Sequence, residues 1–128
     1  GVQCGTRFLV AKECTVHPNY KQKILKAKDI DTITTGKRLG HPVRCLKNQF
    51  SRELQRQEYQ PQVTDEELEQ MGAGALRRAA KKGDEKNGSF MAGQCAAMVH
   101  TEQTAQEMIE EMFAQAEQLL RSTDRWCR

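Results

Sequence analysis

The apolar positions near the end of the chain recur at offsets of three and four: Ala105, Met108, Ile109, Met112, Phe113, Ala116, Leu119 and Leu120. That period lays one apolar stripe along one helix face, so a helix is predicted from Thr101 or shortly after. The stripe is too short for a coiled coil and needs a partner surface. The opening residues follow a different pattern. Gly1 to Leu9, GVQCGTRFL, read as a buried β-strand interrupted by Gly5 and Thr6, with charge beginning at Arg7. A polar loop over 10–16 leads to His17-Pro18-Asn19, where proline suits the first turn of a helix. Tyr20, Ile24, Leu25 and Ala27 then stripe a lysine-rich helix ending near Lys28.

Ile30 to Thr35 alternates and is β-branched, and His41 to Lys47 alternates again across the basic turn Gly36 to Gly40. A hairpin over 30–47 is predicted, followed by a helix from about Asn48 to Glu58 with Phe50 and Leu54 inward. Gln60-Pro61-Gln62 is the clearest linker. Beyond it, Thr64 and Glu67 are spaced for a capping box, with Val63 and Leu68 placed as a hydrophobic staple. Met71 to Gly74 breaks that helix, Ala75 to Lys82 resumes a short one, and Gly83 to Gly88 makes a turn. A strand, a loop and a helix at the start form one βα unit, which points to an α/β fold. The chain has 128 residues, enough for one domain, but only 38% are hydrophobic and 5% aromatic. So thin a core suits the outer helices of something larger, and the chain reads as the C-terminal piece of a bigger protein, starting at its last core strand. No apolar run approaches the roughly 18–20 residues that cross a bilayer.

Charge is unevenly shared. Residues 1–60 hold twelve Lys/Arg against five Asp/Glu, whereas 61–128 hold eight against twelve, within a net of +3. The basic half suits an acidic or phosphate-bearing partner, or a solvated surface. The five cysteines, Cys4, Cys14, Cys45, Cys95 and Cys127, are odd in number and far apart. That spacing excludes a zinc ribbon and opposes a disulfide framework. No metal site is expected. Cys4 and Cys95, in small apolar surroundings, read as buried thiols, and the compartment as reducing and cytoplasmic.

The segment with most chemical content is Gln3-Cys4-Gly5-Thr6. A strand end that offers a glycine amide and a threonine hydroxyl can bind a phosphate, as the last strands of (β/α)8 barrels do, or it can be a plain bulge. Three further stretches accompany it: Gly40-His41-Pro42-Val43-Arg44, Glu69-Gln70-Met71-Gly72-Ala73-Gly74-Ala75-Leu76, and Gly88-Ser89-Phe90-Met91-Ala92-Gly93-Gln94. Together with Gly1 to Phe8, Ala11-Lys12-Glu13 and His17 to Lys21, they resemble the FMN-dependent nitronate monooxygenase family, and within it the enoyl-[acyl carrier protein] reductase II branch. The resemblance runs in order from Gly1 to about Leu120.

That resemblance implies a C-terminal fragment of a (β/α)8 TIM barrel. Residues 1–29 would form its last βα unit, 30–100 a small α/β cap subdomain, and 101–128 a C-terminal helix packing on the barrel. It also implies that Gln3, Cys4, Gly5 and Thr6 hold the FMN phosphate, chiefly through backbone amides. Cys4 stands where the family more often has methionine; both are soft and apolar. Met91 to Gln94 would fold back near the flavin, with a packing turn as the other reading. The implied activity is reduction of an enoyl thioester on acyl carrier protein by NAD(P)H through FMN, in fatty acid biosynthesis. The family's active-site histidine belongs to an earlier strand, so no catalytic residue is expected here and the chain alone should be inactive.

His17 and His100 read as residues at helix starts, and His41 as a candidate for contact with substrate or carrier. Asp65, Glu66, Glu67 and Glu69 are helix-start charges that the helix dipole favours. Lys21, Lys23, Lys26, Lys28, Lys37, Arg38 and Arg44 suit an acidic acyl carrier protein. Nucleic acid would call for aromatic interleaving, and only Tyr20 lies nearby. Neither a nucleic-acid nor a membrane partner is expected, while a homodimer stays open. Two alternatives stand: nitronate oxidation on the same scaffold, and a non-catalytic helical interaction module.

Overall fold

A computed structural model describes residues 1–123, so Cys127 and the end of the last predicted segment lie outside the described residues. Its elements are α1 (Gly5–Leu9), α2 (Pro18–Leu25), β1 (Thr32–Thr35), β2 (Val43–Leu46), α3 (Gln49–Glu58), α4 (Asp65–Gly72), α5 (Ala75–Lys82), a 3-10 helix (Gln94–Met98) and α6 (Ala105–Arg121).

The opening segment is not the strand its pattern predicts. Residues 1–4 have no regular structure, and α1 begins at Gly5. The alternation of Val2, Cys4, Thr6, Phe8 and Val10 misleads because Thr6 and Val10, four apart, also share a helix face, and both are buried. A strand would also need neighbours for its backbone groups, whereas a helix satisfies them internally.

The remaining elements match the sequence pattern closely. Pro18 occupies the first turn of α2, and Nδ1 of His17 accepts the Asn19 N–H at 3.1 Å as the cap. The hairpin pairs Thr32 with Leu46 and Thr35 with Val43. Residues 90–92 add to the outer edge of β2: Leu46 N–H donates to the Phe90 carbonyl at 2.8 Å, and Ala92 N–H donates to Arg44 at 3.1 Å. Capping boxes start α3 at Asn48, α4 at Thr64 and α6 at Thr104. Each satisfies two backbone donors that a helix start leaves orphaned.

One core joins the predicted segments. Val10 and Ala11 from the N-terminal part meet Tyr20 and Ile24 of α2, Leu46 of β2, Ala79 of α5, Phe90, and Met108 of α6. The Tyr20 and Phe90 rings pack with centroids 4.9 Å apart at a tilt of 58°, a geometry that aligns ring edge with ring face. Among the described residues, no helix is long and apolar enough to cross a membrane.

The apolar stripe of α6 is only partly used. Met108 is buried and Met112 packs against the core, but Phe113 is 74% exposed and Leu120 71%.

Candidate functional site

Two of the singled-out segments meet in space. The Gly93 N–H donates to the Thr6 Oγ1 at 2.8 Å, across 87 positions of sequence. Thr6 is buried and Gly93 half-buried, and the bond between them fixes the turn 91–94 against α1. A β-carbon at Gly93 would make only ordinary contacts, 3.4 Å from the Thr6 Oγ1 and 3.5 Å from the Cys95 Sγ, so the hydrogen bond and not the absence of a side chain defines this approach. The same turn is held from its other side. The buried Tyr20 hydroxyl donates to the Met91 carbonyl at 2.7 Å. Burial pushes the Tyr20 phenol far above its ordinary pKa, so it stays a neutral donor.

α1 itself is tied to the segment before α6. Arg7 donates through Nη1 to the Thr101 carbonyl at 3.0 Å and through Nη2 to the Gln103 Oε1. Lys12 N–H donates to the Gln103 carbonyl at 2.9 Å. Glu13 accepts the Ala105 N–H at 3.0 Å, placing a carboxylate at the start of α6 where the helix dipole favours it. Sequence reasoning missed this role of Glu13; a lone acidic residue in a loop carries no signal of a helix start 92 positions away.

The four candidate residues differ in setting. Gln3 and Gly5 are exposed, Cys4 is half-buried and Thr6 is buried. No side chain caps α1, and its first turn holds no acidic residue. The N–H groups of that turn therefore have no intrahelical acceptor and no carboxylate in the turn competing for them. A β-carbon on Gly5 would meet nothing within 4 Å, so the backbone there is open on its outer side. An exposed Gly5 at a helix start without a local negative charge is chemistry that fits a phosphate monoester. The Thr6 hydroxyl, by contrast, is engaged by Gly93; its contribution to such a ligand falls to its backbone N–H. Cys4 borders an apolar cavity of about 350 Å³ between the N-terminal residues and α6, lined also by Val2, Phe8, Ile109, Met112 and Phe113.

Other expectations change. Cys95 is exposed and Cys4 only half-buried; among the described residues the buried thiol is Cys45. Small apolar neighbours in sequence do not bury Cys95, because it sits on a 3-10 turn whose inward residue is Ala96. Burial pushes the Cys45 thiol up, partly offset by hydrogen bonds with Thr35, Ser89 and Ser51, so it is not a nucleophile at neutral pH. The basic stretch is also less free than its sequence implies. Lys21 is buried, donating to the Ala11 carbonyl at 2.7 Å and pairing with Glu102 at 2.8 Å. Lys23 pairs with Glu85 and Arg38 with Asp65. Lys26, Lys28 and Lys37 are exposed, as is His41.

Comparison with known proteins places this geometry. The chain is 31% identical to a probable nitronate monooxygenase of Staphylococcus saprophyticus, over 94% of this chain and 33% of that protein. It superposes on FabK from Thermotoga maritima with a TM-score of 0.91 and 38% identity, covering 98% of this chain and 40% of that one. Nitroalkane oxidase from Streptomyces ansochromogenes matches with a TM-score of 0.65 and 28% identity, over 88% of this chain and 31% of that one. The chain spans about a third of the length of the curated relatives it matches. Its fold is that of a helix-rich portion of a (β/α)8-barrel enzyme. The model of the nitronate monooxygenase family matches residues 1–115, and the chain belongs to that family.

Proposed function

We propose that this chain is the part of an FMN-dependent oxidoreductase that grips the cofactor phosphate, and that the whole protein reduces enoyl thioesters on acyl carrier protein. The observation that carries the reading is the agreement with FabK, an enoyl-[acyl carrier protein] reductase II, at a TM-score of 0.91, against 0.65 for nitroalkane oxidase. The motifs Gly40–Arg44 and Glu69–Leu76 support the same branch.

The chain's own residues have distinct tasks in this reading. Backbone N–H groups from Gln3 to Thr6 donate to the phosphate, where a helix start favours negative charge. The Thr6 side chain holds the Gly93 turn, and Tyr20 holds Met91, so the wall beside the cofactor keeps its shape without using ligand contacts. Bound FMN supplies hydride transfer, with NAD(P)H as its reductant; the protein positions and shields it. The exposed Lys26, Lys28 and Lys37 offer positive charge to an acidic carrier protein, a contact that speeds encounter more than it tightens binding. Residues 1–29 act as the closing part of the barrel, 30–100 as the cap and 101–128 as the outer helix.

Nitronate oxidation is the second reading, favoured by the names of the curated relatives. The complete protein separates the two when assayed with crotonyl thioester plus NADH and, in parallel, with an alkyl nitronate. Thioester-dependent NADH consumption without nitronate turnover is the expected result. Nitronate turnover without thioester reduction overturns the reading.

A further inference from the structure

A cavity of about 360 Å³ lies between the hairpin, α3, α4 and the start of α5, walled by Leu39, Val43, Phe50, Leu54 and Leu68. This is the size at which proteins hold small organic ligands. The chamber is mostly apolar; Thr35, Ser89 and the exposed Glu69 also line it, but one buried wall residue carries a charge. Glu58, at the end of α3, is 6% exposed. Its Oε1 accepts the N–H of Gly36, which sits at φ +75° in the hairpin turn. Its Oε2 is buried and has no hydrogen-bond partner among the described residues. No ion pair among those residues includes Glu58 either.

A buried carboxylate oxygen left without a donor is costly, and native folds keep few of them. Anchoring Gly36 needs only one acceptor, which an asparagine or glutamine would supply without the charge. The second oxygen, in a wall made mostly of hydrocarbon side chains, specifies a ligand: one strong donor, preferably cationic, on an apolar body. We propose that this cavity binds a small amphipathic primary amine, with its ammonium donating to the Glu58 Oε2 and its hydrocarbon lying against Phe50, Leu54 and Leu68. The site is separate from the Gly5–Thr6 turn and independent of the flavin reading, so its test needs no activity measurement.

The test titrates phenethylamine into the complete protein by calorimetry, beside phenethyl alcohol and hydrocinnamate, which carry the same ring with a neutral and a negative head. Saturable binding of the amine, weaker binding of the alcohol and none of the acid are expected. Glu58→Gln keeps an oxygen for Gly36 and removes the charge; it should weaken the amine at least about tenfold, the scale of one charge-assisted hydrogen bond. Ala73 is exposed on the rim of the cavity, so Ala73→Phe should block entry while leaving the melting temperature unchanged. This second variant decides the matter if Glu58→Gln does not fold. Absence of saturable binding, equal binding of amine and alcohol, or an affinity unchanged in Ala73→Phe overturns the proposal.

Discussion

At the scale of single residues, the Thr6–Gly93 contact ties α1 to the 91–94 turn beside the proposed cofactor site. Replacing Thr6 by valine keeps the volume and leaves the half-buried Gly93 N–H without its acceptor, a loss of about 1 kcal/mol. Thr6→Ser should restore most of it. Chemical denaturation of the three proteins checks the stability difference, and flavin retained after gel filtration checks the site: the valine protein should lose flavin and the serine protein keep it. Equal flavin content in all three would show that the turn does not shape the cofactor wall.

Two carboxylates make a separate prediction at this scale. Asp84 accepts backbone N–H groups of Asn87 and Lys86, and the Asn87 hydrogen bond is the main reason its pKa is lowered. Glu107 is lowered chiefly by the Thr104 N–H of its capping box, with Lys12 adding to it. A folded pKa below the unfolded value means stability that is present above the unfolded pKa and is lost as pH falls through the folded one. Amide protection at Thr104 and Asn87, corrected for the intrinsic pH dependence of exchange, should therefore hold at neutral pH and fall only below about pH 4, the ordinary carboxylate range. Loss of protection well above that range would refute the assignment.

At the scale of elements, α6 carries an unsatisfied demand. Its Ile109, Phe113, Leu119 and Leu120 point away from the core that Met108 and Met112 reach. Burying a side chain such as phenylalanine is worth roughly 1.5–3 kcal/mol, so this face will find a cover. Prepared alone, the 128-residue chain should self-associate and bind a hydrophobic dye, and Ile109→Glu with Phe113→Glu should return it toward a monomer. Light scattering distinguishes this from the helical-module alternative, which requires a compact monomer from the unsubstituted chain.

The elements also show what a sequence can disclose. Capping boxes, the proline of α2, the hairpin alternation and the α6 stripe are local signals, and each element begins within a few residues of where those signals place it. Residues 1–9 failed because a short apolar run satisfies a period of two and a turn of helix alike, and only tertiary neighbours choose between them. The burial of Cys45 rather than Cys95, the pairing of Lys21 with Glu102 and the reach of Glu13 to α6 depend on contacts tens of positions apart. The candidate site is named from sequence only through a resemblance to a family, and the bond between Thr6 and Gly93 has no signal there because it joins positions 87 apart.

For the whole molecule, the core unites residues that the sequence assigns to barrel, cap and closing helix. Val10, Leu46, Phe90 and Met108 pack in one cluster, so the N-terminal part, the hairpin and α6 are mechanically continuous in this chain. A ligand held at α1 is thereby linked through Gly93 and Met91 to the hairpin edge and to Tyr20. The most direct test is a crystal structure of the complete protein with its flavin bound. The account predicts the FMN phosphate within hydrogen-bonding distance of the Gly5 and Thr6 N–H groups, with the Gly93 N–H still on the Thr6 Oγ1. A phosphate bound elsewhere, with the 3–6 segment free of the cofactor, would contradict it.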